Sequence, residues 1–291
     1  MMNLHTLLAA TDLTAPSHFT AQRAAMLAQQ IGARLEFVHV LDKRELAELQ
    51  RLLGDTLKER IQSQSLELLK KLANDVGEPL SISAGCHLVE GKILESITKQ
   101  VDAFDANLLI IGARGIDSIL QQFLGTTAER LLRMIQCPVL TVKLYPRKPY
   151  QSVLVPIDFS SWSLGAIHLA QSVAPQAKLT LLHAYEPPFE AQMHIAGEKK
   201  EEIQNYRDKV FQEAKTSLYQ TAEDARITTN WHPIVIHGNA VQRILEQEKE
   251  RGADLIILGK HGLGMVEELL LGSNARQVLI HAQCDVLIAN R

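Results

Sequence analysis

Cysteine is scarce in this sequence: Cys86, Cys137 and Cys284 are the only three in 291 residues, and no two have CxxC spacing. So odd and sparse a set excludes a disulfide framework and a zinc ribbon, and it reads as reduced, buried thiols. Long apolar runs are missing too, since none approaches the roughly 18 residues that a membrane span needs. The opening MMNLHTLLAATDLT has no basic leader, and Asp12 interrupts its apolar stretch, so it does not read as a secretory signal. The expected location is the cytoplasm. Charge of one sign is not in excess either. A net charge of −3 offers no polybasic footprint for nucleic acid or an anionic membrane. Eleven histidines lie scattered without metal-ligand spacing. GxxxxGK[ST], GxSxG and HExxH do not occur, and the GxGxxG begun at Gly262 and Gly264 fails at Glu267.

What is present is an ordinary globular mixture, 46% hydrophobic and 22% charged, in a chain long enough for two domains. The chain also repeats itself. NLLIIGARGIDSILQQFLGTTAERLL from Asn107 is answered by DLIILGKHGLGMVEELLLGSNARQVL from Asp254. Gly112 and Gly259, Gly115 and Gly262, and Gly125 and Gly272 are each 147 residues apart (259 − 112). Thr126 answers to Ser273, Gly91 to Gly238 and Cys137 to Cys284. Upstream, Asp12 aligns with Asp158 and His39 with His183. Register kept over almost a whole half-chain marks a duplication. The prolines and basic residues between Lys143 and Gln151 interrupt the apolar pattern, which divides the chain into 1–146 and 147–291. So short a join predicts that the halves pack on one another as two copies would in a homodimer. A homodimer of the whole chain is a further expectation.

Within each half, short apolar runs alternate with helical stretches. TLLAAT, RLEFVHV, ISAGCHLVE, NLLIIGA and PVLTVKL are separated by helices expected over 17–31, 43–76, 93–104 and 126–135. Continuous apolar runs predict strands covered on both faces, hence an α/β fold of two tandem, doubly wound, five-stranded parallel sheets. The stretch 197–215, with its paired charges at helical spacing, reads as a solvated helix face.

Such sheets bind ligands outside the carboxyl ends of their strands. Gly112 and Gly259 end strands there. Gly115 and Gly262 let the chain turn, and Gly125 and Gly272 precede helices that start at Thr126 and Ser273. A helix amino terminus offers unpaired N–H groups and partial positive charge, and a preceding glycine lets an anion approach closely. The chemistry suits a phosphorylated ligand. A second reading is open: Thr126 and Glu129 spell a capping box, in which the hydroxyl serves its own helix. Arg276 stands where the second box would need an acid, which makes it either a pointer to bound phosphate or a solvated arginine.

The spacing G-x2-G-x9-G-[S/T], present twice, together with a strand-end aspartate and the VHV and LHA strands, resembles the signature of the universal stress protein family. The resemblance covers nearly the whole chain, in two copies. It implies an adenine-nucleotide-hydrolase-like fold that binds ATP, with or without Mg2+, as a regulatory ligand in a stress response. It places Asp12 and Asp158 at the adenosine end, Val40 and Ala184 beside adenine, and Gly112, Gly115, Gly125, Thr126, Gly259, Gly262, Gly272 and Ser273 around ribose and phosphates. Arg114, Lys260 and His261 lie inside the motif loops, where they either touch phosphate or are solvated. An aspartate at a strand end can accept from adenosine's donors, or it can cap the following helix. His39 and His183 read as packed and satisfied rather than catalytic. A slow ATPase or nucleotidyl-transferring enzyme, and a scaffold binding another small molecule, are the competing classes. Ala10 replaces the Pro156 of the second half, and Asp285 stands where the first half has Pro138, so the two sites need not be equivalent.

Overall fold

A computed structural model of the chain describes residues 4–113, 125–227, 230–262 and 271–290. The first repeat runs β1 (Thr6–Ala10), α1 (Ser17–Ile31), β2 (Arg34–Asp42), α2 (Lys43–Leu53), α3 (Asp55–Gly77), β3 (Ala84–Gly91), α4 (Ile93–Ala103), β4 (Leu108–Gly112), α5 (Thr126–Met134) and β5 (Val139–Val142). The second repeat runs β6 (Ser152–Pro156), α6 (Ser161–Val173), β7 (Lys178–Tyr185), α7 (Glu190–Ile195), α8 (Lys200–Asp224), β8 (Trp231–His237), α9 (Ala240–Arg251), β9 (Leu255–Gly259), α10 (Ser273–His281) and β10 (Asp285–Ala289).

Each repeat forms the doubly wound sheet that its apolar runs imply. Strands are parallel within a repeat, in the order β3-β2-β1-β4-β5 and its copy β8-β7-β6-β9-β10. Pro233 sits within β8, which pairs only with β7 and so tolerates a residue that cannot donate to a ladder. The helix expected over 43–76 is two helices. Asp42 caps the first, its carboxylate accepting from the Arg44 and Glu45 amides, and Gly54, at φ 86°, turns the chain before α3 begins.

The two five-stranded sheets are one. β5 and β10 pair antiparallel, so that ten strands form a single sheet, with Val139 facing Ile288, Leu140 facing Leu287 and Thr141 facing Val286. Because 287 and 140 are themselves 147 apart (287 − 140), the pseudo-twofold axis passes through the Leu140–Leu287 pair. Val139, Leu140, Val286, Leu287 and Ile288 are fully buried. Each such side chain favours burial by about 1.5–3 kcal/mol, so the dry strand pair dominates the cohesion of the halves.

Each face of the sheet carries an apolar cluster that draws on both repeats. One joins Leu7, Leu27, Phe37 and Leu69 to Val153, Leu169 and Leu218, under α1, α3, α6 and α8. The other joins Leu8, Leu109 and Leu131 to Ile256, Val278 and Ile288, under α4, α5, α9 and α10. Alternate residues of one strand, such as Leu7 and Leu8, enter opposite clusters, as the pleat requires.

Candidate binding site at the strand ends

Both aspartates lie two residues past the end of a central strand, β1 or β6, and each folds the loop around itself. Asp12 Oδ1 accepts from the Thr14 amide at 3.0 Å and the Thr14 hydroxyl at 2.6 Å. Asp158 Oδ1 accepts from the Ser160 amide at 3.0 Å and from the Ser160 and Ser163 hydroxyls, both at 2.6 Å. Leu13 and Phe159, the residues that follow, both take positive φ, 61° and 65°. Neither carboxylate is a helix cap. The residue preceding α1 is Pro16, and α6 is capped by the Ser160 hydroxyl, which accepts from the Ser163 amide. The hydrogen bonds instead set each carboxylate at the carboxyl edge of the sheet.

The histidines of the second strands hold these loops down. His39 Nδ1 lies 2.8 Å from the Thr11 carbonyl, and His183 Nδ1 lies 2.8 Å from the Ile157 carbonyl. A carbonyl only accepts, so Nδ1 carries the proton in both rings. Burial pushes the His183 pKa down, outweighing the Ile157 carbonyl and the Asp158 carboxylate, which raise it. Both rings are packed and satisfied, as their sequence positions imply. Val40 and Ala184 follow on β2 and β7, half-buried at the same edge.

The glycines close the cradle. Gly112 and Gly259 end β4 and β9, one residue before the chain leaves the sheet. In both repeats the glycine ahead of the next helix is tied back to that exit: the Gly125 amide donates to the Ala113 carbonyl at 3.1 Å, and the Gly272 amide to the Lys260 carbonyl at 2.9 Å. A Cβ on Gly272 would lie 3.2 Å from the Lys260 carbonyl oxygen, and one on Gly262 would lie 2.9 Å from Asp158 Oδ2. Gly262 and Asp158, more than a hundred residues apart in the chain, therefore face one another. Arg114 and Gly115 lie outside the described residues.

α5 and α10 start at Thr126 and Ser273 with no side-chain cap, as do α1, α3, α4, α7 and α8, while α2, α6 and α9 are capped by Asp42, Ser160 and Asn239. The first-turn N–H groups of α5 and α10 and the exposed Thr126 and Ser273 hydroxyls stand at the same rim as the aspartates. The capping box expected as an alternative at Thr126 and Glu129 does not form. Gly125 holds the cap position, and the Glu129 carboxylate is engaged elsewhere.

Its partner is Arg276. Arg276 Nε meets Glu129 Oε1 at 3.0 Å across the pseudo-twofold axis, and Arg133 reaches the same oxygen at 2.8 Å. Arg276 first, then Arg133, holds the Glu129 carboxyl below its ordinary range, against the opposing effect of burial. In this structure Arg276 is half of an ion pair between equivalent positions of the two repeats, with its side chain 43% exposed. Lys260 and His261 are buried rather than solvated. They are 2% and 5% exposed, Lys260 Nζ donates to the Arg133 carbonyl of the other repeat at 3.1 Å, and the His261 ring packs edge-on against Trp162.

Sequence spacing missed Trp162 and Phe159, which pack against Gly259 and His183 at the strand ends of the second repeat. Phe159 lies 4.3 Å from the His183 ring, and Trp162 abuts Gly259, where a Cβ would fall 2.6 Å from its own Cβ. The first repeat has Leu13 and Pro16 at the aligned positions, so no repeated aromatic marked them. Asp285, flagged in the sequence only as a departure from Pro138, proves to be the centre of a buried network. Tyr150 donates to it at 2.6 Å, Arg23 lies 3.3 Å away, and the Lys143 and Leu144 amides donate to it at 2.8 and 3.2 Å. Burial raises the Asp285 pKa, with Arg23 and these donors opposing it. The aspartate pins α1 and the inter-repeat join against β10.

Known proteins share this construction. Universal stress protein A homolog 2 of Coxiella burnetii is 40% identical over 113 residues, covering 38% of this chain and 73% of that protein. A universal stress protein of Thermus aquaticus is 29% identical over 143 residues, covering 48% of this chain and 98% of its own length. The crystal structure of a universal stress protein from Archaeoglobus fulgidus superposes over 100% of both chains with a TM-score of 0.70 at 20% identity, a likeness of fold. The model of the universal stress protein family matches residues 3–143 and again residues 149–290. The chain belongs to the universal stress protein family, as a tandem of two copies.

Proposed function

We propose that each repeat, divided at 146–147, binds one ATP at the carboxyl edge of the sheet, as a regulatory ligand of a cytoplasmic stress-response protein. The observation that carries this reading is the recurrence, in each repeat, of a helix amino terminus behind a pinned glycine at the sheet edge where a fixed aspartate stands. The residues suit the ligand. The first-turn amides of α5 and α10 with Thr126 and Ser273 are donors for phosphate oxygens, and the nearby glycines leave room for them. The carboxylates of Asp12 and Asp158 are acceptors for adenosine's hydroxyl or amino donors. Val40 and Ala184 offer apolar surface to the base. Bound Mg2+ would offset phosphate charge. In this reading the chain supplies binding and orientation, with no residue assigned to catalysis.

A ligand that binds only the folded chain raises its stability, by about 2.7 kcal/mol at a hundred times Kd. Thermal denaturation with increasing Mg-ATP tests the proposal. The expected result is a midpoint that climbs with ATP and moves less with adenosine or tripolyphosphate alone. A midpoint indifferent to ATP would overturn it.

A further inference from the structure

Glu129 and Arg276 occupy one position in two copies of the same helix, 147 residues apart, and meet at the axis that relates the repeats. Each lies at the fourth residue of a helix whose first residue is the hydroxyl of a binding site. Arg276 is therefore one turn from Gly272 and Ser273, and Glu129 is one turn from Gly125 and Thr126. The pair joins the phosphate-binding ends of the two sites. It does not hold the repeats together: Arg276 is 43% and Glu129 23% exposed, and an ion pair so placed contributes no more than about 1 kcal/mol. The buried Leu140–Leu287 strand pair far outweighs it.

So weak a pair is one that a polyanion can break. Resting on the ATP reading above, we propose that the sites are negatively coupled through this pair. Polyphosphate at the start of α10 draws the Arg276 guanidinium toward itself, because a flexible arginine gains more from a multiply charged partner than from one carboxylate. Glu129 then keeps only Arg133, and its less compensated carboxylate stands in the first turns of α5, where it opposes an anion arriving at Gly125 and Thr126. Filling the second site weakens the first. By linkage, filling the first weakens the second by the same factor.

The test is a calorimetric titration of the full chain with Mg-ATP. Gly272→Val and Gly125→Val, each checked by circular dichroism, give the affinities of the first and second sites alone. The wild type gives both together, and the ratio of observed to independent binding is the coupling factor. Coupling of about five-fold or more is expected in the wild type. Glu129→Gln is expected to leave the first site tight and abolish coupling. Arg276→Gln is expected to leave the first site uniformly weak and also abolish coupling, and Arg276→Lys to restore part of it. A purely structural pair would not separate these variants in that way. Two independent sites in the wild type, or coupling unchanged in Glu129→Gln and Arg276→Gln, would overturn the inference while leaving the ATP reading intact. No binding by folded wild type would overturn both.

Discussion

Leu140 and Leu287 face each other across the middle of a ten-stranded sheet, and each is the other's counterpart in the duplicated chain. A duplication thus became one sheet, with the first turns of α5 and α10 linked by Glu129 and Arg276. Three departures from symmetry lie on elements next to this axis: glutamate against arginine at 129 and 276, proline against aspartate at 138 and 285, and alanine against lysine at 113 and 260.

Asp285 is the most costly of these to remove. Its carboxylate is buried among Arg23, Tyr150 and two backbone amides. Asp285→Ala strands the buried Arg23 guanidinium, and the expected loss is about 3–5 kcal/mol. Urea denaturation would show it as a lowered midpoint.

Gly259 and Gly262 should separate stability from binding. A Cβ on Gly259 meets the Trp162 Cβ, an atom fixed by the α6 backbone, so Gly259→Ala is expected to destabilise the fold by about 1–3 kcal/mol. Among the described residues, a Cβ on Gly262 meets only the end of the Asp158 side chain. Gly262→Ala is expected to fold normally and to lose several-fold in ATP affinity at the second site alone, as read by calorimetry and thermal denaturation.

Acid should weaken the protein partly through His183. Burial depresses its folded pKa below the unfolded value of about 6.5. Below that pH the unfolded chain takes up a proton that the folded ring resists, so stability is whole above pH 6.5 and falls as pH drops toward the folded pKa. His168 and His232 are depressed by burial in the same direction. Denaturation midpoints between pH 7.5 and 5 should therefore fall in the wild type, and fall less in His183→Leu.

The cysteines should be silent in the folded state. Burial pushes the Cys137 thiol up to about 12 and raises Cys86 and Cys284 as well, so thiolate is scarce near neutral pH. All three are free. A colorimetric thiol reagent at pH 7.5 is expected to label slowly without denaturant and to reach three per chain in it.

The duplication, the strand runs and the glycine spacing were legible because each is a local pattern repeated at a fixed offset. His39 and His183 could be placed for the same reason. What the pattern could not supply was partner choice. The apolar runs of β5 and β10 say that both are buried, not that they pair with each other. The spacing sets Arg276 and Lys260 beside the glycines, but it could not show the contacts they make with the other repeat, to Glu129 and the Arg133 carbonyl. Trp162 has no aromatic counterpart in the first repeat, so the duplication concealed it, while it marked Asp285 only as a departure and not as the hub of a buried network.

Calorimetric stoichiometry tests the central claim most directly. Mg-ATP would be titrated into the wild type, Gly125→Val, Gly272→Val and the double variant, each verified as folded by circular dichroism. The account expects two ATP per wild-type chain, one for each single variant and none for the double variant. Folded wild-type protein that binds no ATP, or a double variant that still binds two, would contradict it.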